Sequence, residues 1–417
     1  MEPVTPSSPS VRLTLSGADR PGLLAAVFNA LTDHAVAVVD MEQVVVGGHL
    51  TLGILLRAAV PSETADRASP FAAVITDVQR VCARLGLQAQ SSIHVDDEPI
   101  RVAGPTRLIV TVLAQPLHPV AVTAVADRLA AAGANIDRVA RLGTDPVTAV
   151  EFIVSGAEIG VVRSLLAGSA GLPDVTIAVR PRGLDERGRR LVVLDVDSTL
   201  IEQEVINLLA ECAGVQADVA RITEDAMAGR LDFATSLHHR VSLLAGLPEA
   251  VLAEVTAAVR WTPGARTLIR TLQRLDDRVA LVSGGFHDVV DPLARDLGVV
   301  DVRANRLEIT DGRLTGRVIG PVIDRRGKAD ALRSLAALHA IPLIRTVAVG
   351  DGANDLDMLE AAGLGIAFNA APTVAARADA AIHLRRLDSV LFLLGIGSDE
   401  VADAGYREPR QTVTSHT

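Results

Sequence analysis

Cysteine is almost missing from this chain of 417 residues, which contains only Cys82 and Cys212. Two cysteines are too few for a disulfide framework or a zinc site, so we expect two reduced thiols. The N-terminal stretch MEPVTPSSPS lacks the basic and apolar regions of a secretory signal peptide. No apolar run approaches the roughly 18 to 20 residues that span a membrane. Together these absences predict a cytoplasmic protein that does not bind a membrane.

Aromatic residues and excess positive charge are also scarce. Phe, Trp and Tyr make up 2% of the chain, whereas hydrophobic residues as a whole make up 49%. Alanine, valine and leucine must therefore fill the cores. The formal net charge of −10 at pH 7 argues against a nucleic-acid partner. The length predicts roughly two to four domains.

The N-terminal part of the chain contains a repeated order of elements. Strand and helix patterns follow one another as βαββαβ over residues 11–96, and again over residues 105–181. This order is the ferredoxin-like arrangement. We expect residues 1–10, which are rich in proline and serine, to be disordered, and residues 182–190 to form a polar linker.

From residue 191 the pattern changes to that of a parallel α/β sheet. The apolar runs LVVL, VALV and TVAV are separated by long helical stretches, an alternation typical of a parallel sheet covered on both faces. A mostly helical block at about residues 203–261 is too long for a simple crossover and predicts a small cap. We expect this domain to cover residues 191–397 and a flexible tail to cover residues 398–417.

Polar residues follow each of these apolar runs. They are Asp195 and Asp197, then Ser283, Gly284 and Gly285, and finally Gly350, Asp351, Gly352, Asn354 and Asp355. The carboxyl ends of parallel strands meet at one edge of a sheet, so these residues should converge. Carboxylates this close repel one another unless a cation neutralises them, and hard oxygen ligands suit Mg²⁺. Lys328, a serine hydroxyl and glycine N–H groups suit a phosphate.

Asp195 and Asp197 are two residues apart, so on a strand they share a face. An ionised aspartate can attack phosphorus and form an aspartyl-phosphate. A second aspartate can protonate the leaving oxygen and later take a proton from water. An isolated D-x-D is mostly a solvated pair, and SGG or GDG alone is usually a turn. Their joint occurrence after apolar strands favours phosphoryl-transfer chemistry.

The segment DVDSTL resembles the D-x-D-x-T signature of the haloacid dehalogenase superfamily of phosphohydrolases. With VSGGF, GKADAL and VGDGANDLDML it is similar to the phosphoserine phosphatase family, and EDAMAGRLDFATSLHHRVSLLAGL resembles that family's helical cap. The resemblance covers residues 190–394. The two N-terminal modules resemble ACT domains, which bind amino acids in regulated metabolic enzymes. Together, these resemblances imply a haloacid-dehalogenase-like (HAD-like) Rossmannoid parallel sheet with a small helical cap, preceded by two ferredoxin-like ACT domains.

The resemblance also implies a role for each matching residue. Asp195 would be the nucleophile and a Mg²⁺ ligand, Asp197 the acid and base with its carbonyl on Mg²⁺, and Asp351 the third protein ligand. The residues implied to bind the substrate phosphoserine are Glu204, Met227, Phe233, Arg240, Ser283, Gly284, Lys328 and Asn354. The implied supporting residues are Thr199, Gly285 and Asp355.

The charges of phosphoserine agree with this assignment. Its carboxylate favours an arginine and its ammonium group favours a carboxylate, and Arg240 and Glu204 supply one of each. From position alone, a helix-capping Glu204 and a surface ion pair of Arg240 are equally good interpretations.

In the first ACT-like module, GADRPGLLAAVF fits the pattern D-x-P-G-L, which makes Asp19 and Gly22 candidates for binding a regulatory amino acid. A simple strand-to-helix turn is the alternative. The corresponding segment of the second module, LAQPLHPVAV, has neither glycine nor acid, so ligand binding there is in doubt. L-Serine is the product of the implied reaction, which suggests feedback by serine, and ACT domains suggest a homodimer.

Three other functions remain open from the sequence. A related phosphatase could act on phosphohomoserine or a sugar phosphate, and a phosphotransferase could pass the phosphoryl group to an alcohol. An amino-acid sensor with a vestigial catalytic domain is the alternative from another class, but the intact set of Asp195, Asp197, Lys328 and Asp351 argues against it.

Overall fold

The computed structural model describes residues 9–58, 69–94, 107–143, 147–167, 174–183, 188–227 and 230–403. The chain divides into two units, Met1–Val102 and Ala103–Thr417. Within the described residues, no helix combines the length and the hydrophobicity that crossing a membrane requires.

The first unit is a four-stranded antiparallel sheet with two helices. Its elements are β1 (Ser10–Ala18), α1 (Leu23–Asn29), β2 (Val36–Val46), β3 (His49–Ala58), α2 (Ser69–Leu85) and β4 (Gln88–His94). The strand order is β2-β3-β1-β4. Apolar residues alternate along β1, and Val11, Leu13 and Leu15 pack with Phe71 and Val74 of α2. This arrangement confirms the predicted ferredoxin-like βαββαβ module.

The second unit begins with another module of the same kind. Its elements are β5 (Arg107–Ala114), α3 (Pro119–Ala131), β6 (Asn135–Gly143), β7 (Thr148–Ser155), α4 (Ile159–Leu166) and β8 (Val175–Pro181), with the strand order β6-β7-β5-β8. One face of this sheet packs on α3 and α4. On the other face, Leu113 and Ala149 share one core with Val192 of the following domain.

The remaining chain forms a seven-stranded sheet with helices on both faces. Its strands are β9 (Leu191–Leu194), β10 (Arg278–Phe286), β11 (Asp301–Thr310), β12 (Arg313–Ile319), β13 (Thr346–Gly350), β14 (Leu364–Phe368) and β15 (Ala380–Ile382). The order is β12-β11-β10-β9-β13-β14-β15, and the pairings are parallel except for the β11–β12 hairpin. The predicted parallel α/β sheet is therefore confirmed, with a hairpin added at one edge.

The helices of this domain fall into a cap and a sheet-covering set. The cap follows β9 and consists of α5 (Val205–Ala213), α6 (Gln216–Met227), α7 (Phe233–Ser242) and α8 (Ala250–Ala258). The others are α9 (Ala265–Arg274), α10 (His287–Leu297), α11 (Arg325–Leu338), α12 (Leu356–Ala361), α13 (Pro372–Ala375), α14 (Ser389–Leu393) and α15 (Ser398–Asp403).

Three described segments lie next to the predicted domain boundaries. The tail expected to be flexible from residue 398 begins with helix α15, because Val401 packs on the core and Glu400 accepts a hydrogen bond from the N–H of Gly397 at 2.7 Å. The predicted solvated linker ends in an ion pair, Arg190 with Asp277. At the N-terminus, Ser10 already belongs to β1. Residues 1–8 and 404–417 lie outside the described residues.

Candidate active site

The three central strands end at one edge of the sheet and place polar residues there. Strands β10, β9 and β13 are neighbours, so Ser283, Asp195 and Asp351 follow one another across this edge. Lys328 reaches the same place from the first turn of α11, where the side chain of Asp324 caps the helix by accepting a hydrogen bond from the N–H of Gly327 at 2.7 Å. The convergence expected for a parallel sheet is thus present.

Lys328 is the buried centre of this cluster. Its Nζ lies 2.7 Å from Oδ1 of Asp195 and 2.7 Å from Oδ1 of Asp355, and its side chain is fully buried. The contact with Asp355 is a directed hydrogen bond, whereas the contact with Asp195 is an ion pair. Burial alone would lower the pKa of Lys328, but the two carboxylates outweigh burial and raise it. The lysine is therefore a fixed positive charge.

Three carboxylates offer oxygen atoms to one point. One oxygen each from Asp195, Asp351 and Asp355 lies within 4.8 Å of the others. Burial and the neighbouring carboxylate of Asp355 raise the pKa of Asp195 well above its usual range, and they raise the pKa of Asp351 to about 7. Apart from Nζ of Lys328, Oδ1 of Asp195 has no hydrogen-bond donor among the described residues. Hard oxygen donors with this mutual repulsion suit a divalent cation.

Asp197 lies beside the same point and is held by two donors. Its Oδ1 accepts a hydrogen bond from the N–H of Val205 at 2.7 Å, and its Oδ2 accepts one from Oγ of Ser283 at 3.2 Å. Burial, followed by the charge of Glu204, raises the pKa of Asp197 to about 6. A Cβ built on Gly285 would lie 2.8 Å from Oδ2 of Asp197, so glycine is needed for this close approach.

Two supporting side chains orient the acidic groups. Oγ1 of Thr199, which is buried, donates to Oδ1 of Asp351 at 3.0 Å. Oγ of Ser198 donates a hydrogen bond to Oε1 of Glu204 at 2.9 Å. Ser198 has a positive φ of 58°, which turns the chain sharply after the aspartates. The sequence motif identified Thr199 as supporting, but Ser198 was not among the predicted residues.

The cap brings two predicted substrate residues toward the carboxylates. Glu204 is exposed just before α5, and Arg240 is half-buried on α7. Burial lowers the pKa of Arg240, while the charges of Glu204 and Asp197 oppose that shift. Phe233, the first residue of α7, lies over Gly284, because a Cβ on that glycine would be 3.1 Å from Cζ of Phe233. The side chain of Met227 lies outside the described residues.

Two chain segments that join cap and core are tied together. The N–H of Glu202 donates to the carbonyl of Arg260 at 2.9 Å, and the N–H of Thr262 donates to the carbonyl of Leu200 at 3.1 Å. The side chain of Gln203 accepts a hydrogen bond from the N–H of Arg260 at 2.8 Å. These bonds form a short ribbon at the base of the cap, which the helical pattern of the sequence did not reveal.

The other predicted residues lie in two places. Asn354 is half-buried in the single turn Ala353–Asp355 after β13, beside the carboxylates. Asp19 and Gly22 belong to the first unit and are exposed at the turn between β1 and α1. Asp355 was predicted only as a supporting residue, yet it belongs to the carboxylate cluster because that turn places it four residues after Asp351. The sequence patterns did not identify Asn305, a buried residue of β11.

Comparison with known families agrees with this geometry. A family model described as haloacid dehalogenase-like hydrolase matches residues 192–360, and two ACT-domain models match residues 11–92 and 106–180. A phosphoserine phosphatase of Streptomyces coelicolor is 50% identical over 400 residues, which cover 96% of this chain and 95% of that protein. Phosphoserine phosphatase SerB2 of Mycobacterium tuberculosis is 47% identical over 404 residues, which cover 96% of this chain and 97% of that protein.

Solved structures give the same assignment. A probable phosphoserine phosphatase from Vibrio cholerae, unliganded, is 32% identical with a TM-score of 0.54, covering 72% of this chain and 90% of that one. A HAD family hydrolase from Salmonella enterica is 26% identical with a TM-score of 0.58, covering 69% of this chain and 98% of that one. The chain belongs to the phosphoserine phosphatase family of haloacid dehalogenase-like hydrolases and carries two ACT domains.

Proposed function

We propose that this protein hydrolyses O-phospho-L-serine to L-serine and phosphate, the last step of serine synthesis. The observation that carries the proposal is the pairing of two sets of groups at one sheet edge. Asp195, Asp197 and Lys328 suit phosphoryl transfer, while Glu204 and Arg240 suit the ammonium and carboxylate groups of an amino acid. Relatives that cover almost the whole chain are named phosphoserine phosphatases.

The two aspartates divide the chemistry between them. A carboxylate oxygen of Asp195 attacks phosphorus, the bond from phosphorus to the serine oxygen breaks, and Asp197 donates the proton that the leaving oxygen needs. Water then attacks the phosphoaspartate, Asp197 takes its proton, and the bond to Asp195 breaks to release phosphate. Oδ1 of Asp197 accepts the shorter hydrogen bond, from the N–H of Val205 at 2.7 Å, and Oδ2 the longer one, from Ser283 at 3.2 Å, so we assign this proton to Oδ2 once the hydroxyl of Ser283 turns to the phosphate.

The remaining groups bind the phosphoryl oxygens. Lys328 is a fixed buried cation, and the hydroxyl of Ser283 and the N–H of Gly284 supply hydrogen bonds to developing negative charge. Asn354 lies close enough to this edge to contact the substrate or to position its surroundings. We propose that binding these oxygens is separate from binding the amino-acid end, which belongs to the cap.

We also propose Mg²⁺ as the cofactor. The side chains of Asp195 and Asp351, with the backbone carbonyl of Asp197, would hold it, and the cluster of carboxylates formed by Asp195, Asp351 and Asp355 supports this choice. Asp355, whose Oδ1 lies 2.7 Å from Nζ of Lys328, would orient that lysine or the surroundings of the metal. When bound, Mg²⁺ offsets the repulsion between the carboxylates and the phosphate.

The cap residues provide specificity. Arg240 would bind the carboxylate of phosphoserine and Glu204 its ammonium group, held in place by Ser198. Phe233, with Met227, would close the pocket over Gly284. Phosphohomoserine carries the same two charges on a longer chain, and a sugar phosphate carries neither.

Phosphate release from a panel of phosphoesters with Mg²⁺ tests the proposal. The panel contains L-phosphoserine, D-phosphoserine, phosphothreonine, phosphohomoserine and glucose 6-phosphate, with Asp195→Asn beside wild type. We expect a strong preference for L-phosphoserine that disappears in Asp195→Asn. Equal turnover of glucose 6-phosphate would refute the roles of Glu204 and Arg240, and turnover that depends on an added alcohol would indicate a phosphotransferase.

We further propose that L-serine regulates the enzyme at the first ACT domain. The left-handed conformation of Gly22, with φ at 88°, leaves open space where a Cβ would be, and Asp19 is exposed beside it. Feedback requires serine to bind two states of the enzyme with different affinity. Activity should therefore change at millimolar L-serine in wild type and not in Asp19→Ala. An identical serine response in both proteins would sink this assignment.

We propose that the protein works in the cytoplasm as a homodimer. Both cysteines, Cys82 and Cys212, are unpaired, as a reducing compartment requires. Strand β2 is an edge strand that exposes apolar side chains, including Val38, Val45 and Val46. An exposed apolar edge of this kind favours pairing with a second chain.

A further inference from the structure

Asn305 on β11 is a buried amide whose two polar atoms bind two different loops of the active site. Its residue is 1% exposed. Its Nδ2 donates a hydrogen bond to the carbonyl of Gly284 at 2.8 Å, and its Oδ1 accepts one from the N–H of Ile323 at 2.8 Å. Both halves of the amide are therefore used, and both partners are backbone groups.

The first of these segments is a bulge in β10, opposite Asn305. Strands β10 and β11 pair in register up to Val282, and the pairing resumes at Phe286 opposite Asn305. Residues 283–285, which carry the proposed phosphate-binding groups, form a bulge within β10 between these points. Oγ of Ser283 accepts a hydrogen bond from the N–H of Gly285 at 2.8 Å, which shapes the loop from within. Asn305 fixes the same loop from outside, through the carbonyl of Gly284.

The second loop leads into the helix that carries Lys328. Ile323 directly precedes Asp324, the residue that caps α11, and Lys328 follows in the first turn. The two segments also lie close together, because a Cβ added to Gly284 would be 4.0 Å from the carbonyl oxygen of Ile323. One side chain thus bridges the segment that carries Ser283 and Gly284 and the segment that leads to Lys328.

We propose that Asn305 is a positioning residue for phosphoryl transfer, an inference that rests on the proposed function of this site. By binding Gly284 and Ile323 together, it holds the N–H of Gly284 and the hydroxyl of Ser283 at a fixed spacing from Lys328. Such spacing matters most in the transition state, where small displacements of preorganised groups cost large factors in rate. The amino-acid end of the substrate is bound by the cap and does not depend on Asn305.

Asn305→Asp is the sharpest variant because it keeps the shape and replaces one atom. The carboxylate still accepts from the N–H of Ile323 but cannot donate to the carbonyl of Gly284, which would face a second acceptor. Asn305→Ser is the second variant, since it shortens the side chain without adding charge. Thr176→Val is the matched control, because buried Thr176 donates to the backbone carbonyl of Ala381 at 2.8 Å, away from the active-site loops.

The experiment measures kcat, KM and Tm for the full-length protein with Mg²⁺ and L-phosphoserine, together with inhibition by orthovanadate as a phosphate mimic. We expect kcat to fall by about 100-fold in Asn305→Asp, in line with the loss of an oxyanion donor, and by at least about 10-fold in Asn305→Ser. The KM for L-phosphoserine should change by less than about threefold, whereas orthovanadate inhibition weakens in parallel with kcat. Thr176→Val should lower Tm and leave kcat at the wild-type value.

Two results would overturn the proposal. One is a kcat within about threefold of wild type in both Asn305 variants, and the other is a loss of kcat that Thr176→Val shares at equal Tm. If Asn305→Asp does not fold, Asn305→Ser decides the matter. If wild type does not hydrolyse phosphoserine, the proposed function fails by itself, and the same variants are compared on the phosphoester of the panel that wild type hydrolyses best.

Discussion

The two ACT domains share one order of elements but bury their sheets differently. On β1 of the first domain, Arg12 is exposed, and Thr14 and Ser16 are half-buried. The alternate residues of β5 in the second domain, Ile109, Thr111 and Leu113, are 6%, 0% and 0% exposed. The first sheet covers its helices with one face, whereas the second sheet is covered on both. One fold thus has a sheet with one buried face in the first domain and a sheet with two buried faces in the second.

This difference matches the turns that precede the first helices. The first domain has the flexible turn with Gly22 that suits a ligand, and the second has LAQPLHPVAV, without a glycine or an acid. The second domain instead bonds to the catalytic sheet, since Thr176 donates to Ala381 and Arg163 pairs with Asp379 at 2.8 Å. We infer that the second domain stabilises the catalytic domain and that the first is available for regulation.

Truncation should separate the two domains most strongly. A chain that starts at residue 103 loses only the first unit, so its Tm and its phosphoserine turnover should stay close to those of the full chain. A chain that starts at residue 188 exposes the apolar surface that Leu113 and Ala149 cover. Exposing this surface should lower the free energy of unfolding by several kcal/mol, which corresponds to a Tm about 10 °C or more below that of the full chain. Equal Tm values of the two truncated chains, from thermal unfolding, would contradict the comparison.

A smaller change at one position tests the same contrast. Leu113→Ala leaves a cavity between the second ACT domain and the catalytic core and should lower the free energy of unfolding by about 2–5 kcal/mol. Ser16→Ala, at the comparable face of β1, should change it by less than about 0.5 kcal/mol. Urea denaturation measures both. Similar losses in the two variants would mean that the two sheets are buried alike.

The polar contact between the domains should contribute less than the apolar one. Nη1 of Arg163 pairs with Oδ1 of Asp379, whose Oδ2 accepts a hydrogen bond from the N–H of Gly365. Arg163→Ala should therefore cost about 1 kcal/mol. Arg80→Ala in the first domain removes a more exposed pair with Asp77 and should cost less than about 0.5 kcal/mol. A greater loss of urea stability in Arg80→Ala would reverse the expected order.

The two ACT domains also differ in their edge strands, β2 and β6. A lysine on either strand should hardly change the free energy of unfolding. Val45→Lys on β2 should shift the proposed dimer toward monomer in light scattering, because a lysine on an edge opposes pairing. Val139→Lys on the edge strand β6 of the second domain, 53% exposed, serves as the control and should leave the mass unchanged. Dissociation by Val139→Lys alone would place the interface on the second domain.

Much of the fold was predictable because its signals are periodic. Alternating apolar residues predict the sheet of the first ACT domain. Short apolar runs followed by aspartates predict the parallel sheet and the ligand-binding edge at the carboxyl ends of its strands. The β11–β12 hairpin was missed although Asp311 and Gly312 form a D-G turn with positive φ values of 50° and 69°, a recognised hairpin signal. The mostly apolar stretch RLIVTVLA predicts a strand, and its lack of alternation is also typical of burial on both faces.

The active site was predictable where a motif fixes the spacing of residues. Asp195, Asp197, Lys328 and Asp351 converge as the motifs imply, because they follow strand ends or begin a helix. Asn305 belongs to no such pattern, since it is one of several polar residues in β11, whose sequence is DVRANRLEIT. Its partners, Gly284 and Ile323, are backbone groups that no sequence spacing identifies. Roles that depend on hydrogen bonds to the backbone required the three-dimensional structure.

Trapping the proposed intermediate tests the central claim most directly. The protein is mixed with Mg²⁺ and O-phospho-L-serine labelled in its phosphate group, quenched in acid, digested and analysed by mass spectrometry. Our account predicts a phosphate on Asp195 in the peptide that contains LVVLDVDSTL, and no labelled peptide from Asp195→Asn. Label on another residue, or full turnover by Asp195→Asn, would contradict it.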